Sequence, residues 1–330
     1  MAELKYDVLA IGNAIVDIIG RCNDAFLTKH GAPKGGMRLV DAGAVKSIYA
    51  DMGPGIEISG GSAANTMVGV ASFGGKAAFI GKVADDEFGK IFAHDIAAAG
   101  VAFKTPKAKG SEPTARSLVL VTPDGERTMN TFLGVSPLLD QGEVDLNDVR
   151  AAKIVYLEGY LFDRPEAKAA FRSAAAAAKT AGRQVSLSLS DAFCVDRHRA
   201  EFVELIKGQV DILFANESEL TSLYKVATFE EGARLAKAQA KIAVLTRGAK
   251  GAVIMSGDKA VTVAAEPVKQ VVDTTGAGDL YAAGFLFGHA AGKPLDICGR
   301  LGSLAAAEII SHIGARPATS LAKLAKQKGL

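Results

Sequence analysis

The stretch Asp273-Thr274-Thr275-Gly276-Ala277-Gly278-Asp279 sets two carboxylates around a turn of small residues, just before the helix-like run LYAAGF. Glycines at 276 and 278 let backbone N–H groups come close to a ligand. The first turn of a helix has N–H groups without intrahelical partners and carries partial positive charge. Together these features suit a phosphate or a developing phosphoryl charge. An aspartate at that point can take the proton of a hydroxyl whose oxygen attacks phosphorus. Taken alone, the segment reads equally well as an N-cap behind a Gly-rich turn. A second charged residue stands out for its surroundings. Asp17 lies in AIVDII among aliphatic side chains, where a carboxylate is costly unless a ligand or a donor meets it.

The elements that must position these residues alternate along the chain. YDVLAI is an apolar strand ending at Gly12-Asn13, and AIVDIIG continues as a second β-like run. A short strand is expected in GGMRLVDA. SGGSAANTMVGVASFG reads as a Gly-rich turn entering a helix, and KAAFIGKVADDEFGKIFAHDIAAAG as strand, loop and helix. Strands in KIVYLEGYL, QVSLSLS, VDILFAN, KIAVLTRG and GAVIMS are spaced by helices in PEAKAAFRSAAAAAKTAG, RAEFVELIKG, ESELTSLY and EEGARLAKAQA. Val271-Val272 reads as the end of a strand, with a helix starting near Asp279. Apolar strands alternating with amphipathic helices imply a mostly parallel sheet covered on both faces. From about residue 101 to 133 the rhythm changes to two strands around a Pro-Asp-Gly turn. With the 14–40 region these predict a separate small β-layer, of the kind that serves as a lid.

Composition narrows the function classes. The 330 residues suit one large α/β domain or two smaller ones. A hydrophobic share of 49% supports a sizeable core. The formal charge of +2 gives no sign of nucleic-acid or membrane partners. No apolar run reaches the roughly 18–20 residues of a membrane span, and no secretion signal is expected at the start. Three scattered cysteines and five histidines without a ligand-like spacing argue against a disulfide framework, a zinc site and a Ser-His-Asp triad. Reduced thiols in a cytoplasm are the expectation. GNAIVD lacks the G-x-G-x-x-G of a dinucleotide site after the first strand.

The whole string D-T-T-G-A-G-D-x-x-x-A-G-F resembles the C-terminal signature of the ribokinase-like (PfkB) carbohydrate and nucleoside kinases. Gly60-Gly61-Ser62-Ala63-Ala64-Asn65 is similar to the family's N-terminal signature, and Gly81 to Gly89 to its G-x-V-G-x-D-x-x-G. Asn216-Glu217-Ser218-Glu219, Thr246-x-Gly248-x-x-Gly251 and AAAEIISHIGA complete the series over nearly the full chain. The resemblance implies a single ribokinase-like domain over residues 1–330. This would be a three-layer α/β fold with a mostly parallel central sheet flanked by helices and a small β-sheet lid from about 14–40 and 103–133. It implies Asp279 as catalytic base, and Gly276, Ala277 and Gly278 as the anion hole. Asn216 and Glu219 would organise magnesium and phosphate through water, and Thr246, Gly248 and Gly251 would lie along ATP. Mg2+ would arrive with ATP, and the family often has a monovalent cation such as K+ near the Asp273–Thr275 loop.

Within the family, Gly12-Asn13-x-x-x-Asp17 and SLSLSDAF look closer to adenosine kinases than to sugar kinases, which often carry D-x-N-x-R in the comparable strand. The implied acceptor is the 5′-hydroxyl of a nucleoside, with ribose, fructose or a related sugar as the alternative. Asn13, Asp17, Gly60, Gly61 and Asn65 would surround the ribose, and an Asp can accept from neighbouring 2′ and 3′ hydroxyls. Met37 or Leu39 with Tyr160 or Phe162 would sandwich the base. Arg127, and more weakly Arg116, would swing onto the phosphates as exposed hairpin cations. The expected partners are small molecules only, for a cytoplasmic monomer or homodimer.

Overall fold

The structure, a computed structural model, describes residues 3–110 and 112–330. Its strands in chain order are β1 (Tyr6–Ile11), β2 (Ile15–Arg21), β3 (Met37–Leu39), β4 (Gly55–Gly60), β5 (Ala77–Ile80), β6 (Val101–Phe103) and β7 (Ala115–Val121). β8 (Arg127–Phe132), β9 (Ala152–Glu158), β10 (Gln184–Ser188), β11 (Ile212–Asn216), β12 (Ile242–Thr246), β13 (Ala252–Ser256) and β14 (Lys259–Val263) follow. The helices are α1 (Asp24–Lys29), α2 (Ala42–Asp51), α3 (Ser62–Ser72), α4 (Glu87–Ala98), α5 (Leu146–Arg150), α6 (Pro165–Thr180), α7 (Ala192–Gly208), α8 (Glu217–Tyr224), α9 (Phe229–Gln239), α10 (Ala277–Ala290), α11 (Leu295–Ile309) and α12 (Leu321–Gln327).

Nine strands form the main sheet, in the order β14-β13-β12-β11-β10-β9-β1-β5-β6. It is parallel from β12 to β6, with β13 and β14 antiparallel at one edge. The central strands are apolar throughout because both faces are covered, and their alternation divides the core in two. Val8 and Ala10 of β1 belong to the core that includes α3, α10 and α11, while Leu9 and Ile11 belong to the one that includes α6 and α7. This is the three-layer α/β arrangement that the alternation predicts.

Five strands form a second sheet, ordered β3-β8-β7-β2-β4. One of its faces, with Val16, Ile18, Leu118 and Leu120, packs on Val45 and Ile48 of α2 and runs on into the main core. The register aligns the opposite face across four strands. Asp17 pairs with Ser117, Ser117 with Thr131, and Thr131 with Leu39. Side chains at paired positions share a face, so these four stand in one row.

Several local expectations change. β6 joins the main sheet beside β5, so the smaller sheet takes residues from 115 onward in that region, together with the unanticipated β4. β9 stops at Glu158, and Gly159–Asp163 is a 3-10 turn. Val271-Val272 is not a strand: Val272 N–H donates to Ile310 O, and both side chains are exposed. α10 begins at Ala277 behind Gly276, whose φ of +78° reverses the chain. Asp279 is therefore the third residue of the helix rather than its start. Among the described residues no helix is long and apolar enough to cross a membrane.

Candidate active site

Adjacent parallel strands end side by side, and their carboxyl ends form the floor of a cavity of about 700 Å³. Thr246, Asn216, Ser188 and Glu158 close β12, β11, β10 and β9, and Asn13 follows β1. This crevice at the strand ends is where open α/β sheets bind ligands. The Asp17-Ser117-Thr131-Leu39 row of the smaller sheet forms the roof, and the loop Thr274–Asp279 forms one wall. Of the residues predicted from sequence, the cavity gathers Asn13, Asp17, Met37, Gly61, Asn65, Asn216, Glu219, Thr246 and all of Gly276 to Asp279.

Asp279 is the most constrained of them. Its Oδ1 accepts from Ser62 Oγ at 2.6 Å and its Oδ2 from Asn65 Nδ2 at 3.0 Å. Both donors sit on the first turn of α3, so the two helix N-termini meet at this carboxylate. Burial pushes Asp279 above the ordinary carboxylate range, while the two hydrogen bonds and the Arg316 charge pull it back. The wall beside it is open backbone. No atom lies within 4 Å of where a Gly278 Cβ would be, and the first helical turn supplies no acceptor for its N–H. The Ala277 N–H is spoken for, donating to Thr274 O at 3.2 Å. The N–H groups left open at this wall are thus those of Gly276 and Gly278 rather than Ala277.

The paired glycines have separate jobs. A Cβ on Gly60 would lie 2.3 Å from Asp17 Oδ2, and one on Gly61 would lie 2.2 Å from Asn13 O. Gly60 makes room for the carboxylate, and Gly61, at φ +98°, lets the α3 turn close on the loop after β1. Burial pushes Asp17 up to about 6. Arg316 and Arg127 pull the other way, and Asp279 adds to the rise. Asn13 lines the cavity, but its amide is committed: Nδ2 donates to Glu158 Oε1 at 2.9 Å, and Oδ1 accepts from Ser136 Oγ at 2.9 Å.

Asn216 and Glu219 form a capping box on α8, with Asn216 Oδ1 accepting from Glu219 N–H and Glu219 returning to the Asn216 N–H, each at 2.9 Å. They also line the cavity, so the cap and the cavity wall are one construction. Burial pushes Glu219 up to about 7. Among the described residues no three His, Cys, Asp or Glu side chains converge to hold a metal.

Other expectations are corrected. Phe162 is fully buried away from the cavity, stacked on Phe202 in the core under α6 and α7. Tyr160 is the ring that lines the cavity, its OH donating to Ser190 O at 3.2 Å. Arg127 is no exposed hairpin cation: it is buried and pairs with Asp273 at 2.6 Å. The Asp273 carboxylate also accepts from Thr275 N–H and Gly314 N–H, each at 3.0 Å. A buried carboxylate so surrounded, and already neutralised by a guanidinium, does not fit an additional inorganic cation. Arg116 lies over the Phe88 ring. Gly248 and Gly251 sit in the turn beyond Thr246 rather than on the cavity. A Gly251 Cβ would lie 2.1 Å from Val263 O, so that glycine serves the β13–β14 edge.

Sequence reasoning missed Ser62, Glu158, Phe193 and Arg316. Glu158 carries the signal that marked Asp17, a carboxylate inside an apolar strand, IVYLE. It is almost wholly buried, and burial pushes it up to about 7 against hydrogen bonds from the Ala63 and Asn13 N–H groups and the Asn13 side chain.

The pfkB family of carbohydrate kinases matches residues 57–321. The crystal structure of an adenosine kinase from Sinorhizobium meliloti is 52% identical at a TM-score of 0.92, covering 98% of this chain and 99% of that one. That of a probable sugar kinase from Rhizobium etli CFN 42 is 51% identical, also at 0.92, over 100% of this chain and 99% of its own. An uncharacterized sugar kinase of Archaeoglobus fulgidus is 30% identical over 251 residues, 76% of this chain and 97% of its length.

Proposed function

The chain belongs to the pfkB family of carbohydrate kinases and is an ATP-dependent kinase of a hydroxyl group, and we propose that its acceptor is the 5′-hydroxyl of adenosine, giving AMP. One observation carries that acceptor. Around the mouth of the cavity stand three large apolar side chains left open to it: Met37, 47% exposed, Leu39, 57%, and Phe193, 77%. Clustered apolar surface of this kind marks a binding site. The flat faces of a purine would cover it, with Tyr160 alongside. A free sugar, ringed by hydroxyls, leaves it uncovered.

The ribose lies against Asp17, whose two oxygens accept from the 2′ and 3′ hydroxyls. That brings the 5′-hydroxyl to Asp279. Ser62 and Asn65 hold the carboxylate still, and each oxygen keeps a lone pair for the proton. As the 5′-oxygen attacks the γ-phosphorus, its proton passes to Asp279 and the bond to the β-phosphate oxygen breaks. The charge that spreads over the γ-phosphoryl oxygens meets the Gly276 and Gly278 N–H groups and the positive end of α10. ATP enters from the side of Asn216 and Thr246. Asn216 and Glu219 would hold magnesium through water, and the ion, arriving with the nucleotide, would supply charge neutralisation of the phosphates. We place no monovalent cation at Asp273, because Arg127 neutralises it. The smaller sheet closes over the substrates and excludes water, so ATP hydrolysis without an acceptor is slow.

A sugar acceptor is the second reading. It is favoured by the 51% identical relative named a probable sugar kinase and by the polar Asp17-Ser117-Thr131 row, which suits hydroxyls. A coupled-ADP screen across nucleosides and sugars separates the two. Adenosine is expected to give the highest kcat/KM, and a clear preference for a free sugar would overturn the proposal.

A further inference from the structure

Arg316 follows α11 in Gly314-Ala315-Arg316-Pro317 and turns inward. Arg316 is half-buried, and all the hydrogen bonds of its guanidinium go to uncharged acceptors. Nε and Nη2 donate to Ser59 O at 2.9 and 2.5 Å, Nη2 to Ser59 Oγ at 2.8 Å, and Nη1 to Ala64 O at 3.0 Å. Ser59 is gripped from its other side by Asp95, which accepts the Ser59 N–H at 2.7 Å. Arg316 therefore anchors both ends of the turn that carries Gly60, Gly61 and Ser62, with Asn65 next in line. Among the described residues no carboxylate makes a salt bridge to it, so its charge is not consumed by a contact pair. That charge acts on Asp17, Asp95 and Asp279 nearby. A cation drawn even partly out of water without a direct counter-ion carries a desolvation cost, and nothing in the hydrogen bonds to Ser59 and Ala64 requires the group to be charged.

We infer that Arg316 is a positioning residue for phosphoryl transfer: it locks the turn that holds Asp17 and Asp279 in place, and its free charge keeps Asp279 ionised until the acceptor proton arrives. The groups that face Asp279 are Ser62 and Asn65 from α3, Arg316 from beyond α11, Asp17 from β2, Tyr156 and Glu158 from β9, and Tyr160 from the turn after it. Of these, Arg316 alone is cationic. Asp17 and Glu158 oppose the ionisation of Asp279, as does burial. Burial lowers Arg316 itself to about 10, so it stays charged across the working range.

The inference rests on Asp279 as the base, and the test separates the two. The pH dependence of kcat/KM is measured for Arg316→Gln, Arg316→Met and Arg316→Lys, with the acceptor that the screen selects. Either neutral variant is expected to lose about tenfold or more at neutral pH and to move the acidic limb upward by about one pH unit. Arg316→Lys, which keeps the charge but not the forked donors, is expected to lower kcat with the limb in place. An unmoved limb in a folded neutral variant, whatever its thermal stability, overturns the inference. If neither neutral variant folds, Arg316→Lys decides alone: a limb in place supports the inference, and a displaced limb overturns it. Asp279→Asn is run alongside. Turnover retained there removes the base itself, whereas an inactive Asp279→Asn with an unmoved limb in the neutral variants removes only Arg316.

Discussion

Gly60→Ala tests the placement of Asp17 without touching a functional group. Gly60 ends β4, paired with Ile15 of β2, and its backbone lies outside the left-handed region. Alanine therefore fits the backbone, and the cost falls on what the new methyl meets. That is Asp17: the Cβ would sit 2.3 Å from Oδ2, 2.6 Å from Cγ and 2.9 Å from Oδ1. Normal contact needs about 3.5 Å, so the carboxylate must retreat by roughly 1 Å. Such a shift is enough to lose a hydrogen bond to an acceptor hydroxyl, and a bond to a charged group is worth about 1.5–3 kcal/mol. The expected loss in kcat/KM for the acceptor is then about 10–100-fold, at about 1.4 kcal/mol per tenfold. Steady-state kinetics with each substrate varied in turn should show the KM for ATP nearly unchanged, because Asn216 and Thr246 lie elsewhere in the cavity. Adding Gly60→Ala to Asp17→Ala should cost little more than Asp17→Ala alone, since both act on one contact. Wild-type acceptor kinetics in Gly60→Ala would refute the reasoning, as would full additivity with Asp17→Ala.

Four further outcomes follow from the site. Asp279→Asn should lower kcat by about 10²–10⁴-fold while ATP binding, read by calorimetry, is kept; near-normal turnover would remove the base. Asp17 binds its proton more tightly folded than unfolded, so its ionisation costs stability as pH rises toward about 6. Asp17→Asn should therefore be more stable than wild type at pH 8 and equal to it below about pH 4, as checked by urea denaturation at the two pH values. Arg127→Ala leaves Asp273 buried without its counter-charge; stability should fall by about 3–5 kcal/mol, and in wild type potassium chloride should give no rate advantage over tetramethylammonium chloride.

Where the sequence was informative, the physics is local. The glycines before α10 and the Asn216–Glu219 box act across three or four residues, a range over which spacing dictates contact. The alternation of apolar strands and helices likewise implies a covered parallel sheet, because each segment shows its own buried faces. Charge in an apolar strand marked Asp17, and the same argument applied to IVYLE would have found Glu158. Phe162 and Tyr160 illustrate the limit. Two residues apart in a 3-10 turn, one ring enters the core and the other the cavity, and spacing in so short an irregular turn does not say which.

By itself, then, the sequence determined the family, the α/β alternation and the placement of Asp279 at a helix N-terminus, since each depends on residues close together in the chain. Tertiary structure alone decided what holds Asp279 and Asp17 in place. Ser62 and Asn65 reach Asp279 across more than two hundred residues. Arg316 closes on Ser59 over a longer span still, and Arg127 is buried on Asp273 rather than left in solvent. The row Asp17-Ser117-Thr131-Leu39 exists only through the register of four strands. The charge and hydrogen bonds that tune the site act through space, and distances across the fold come from packing, which no local spacing encodes.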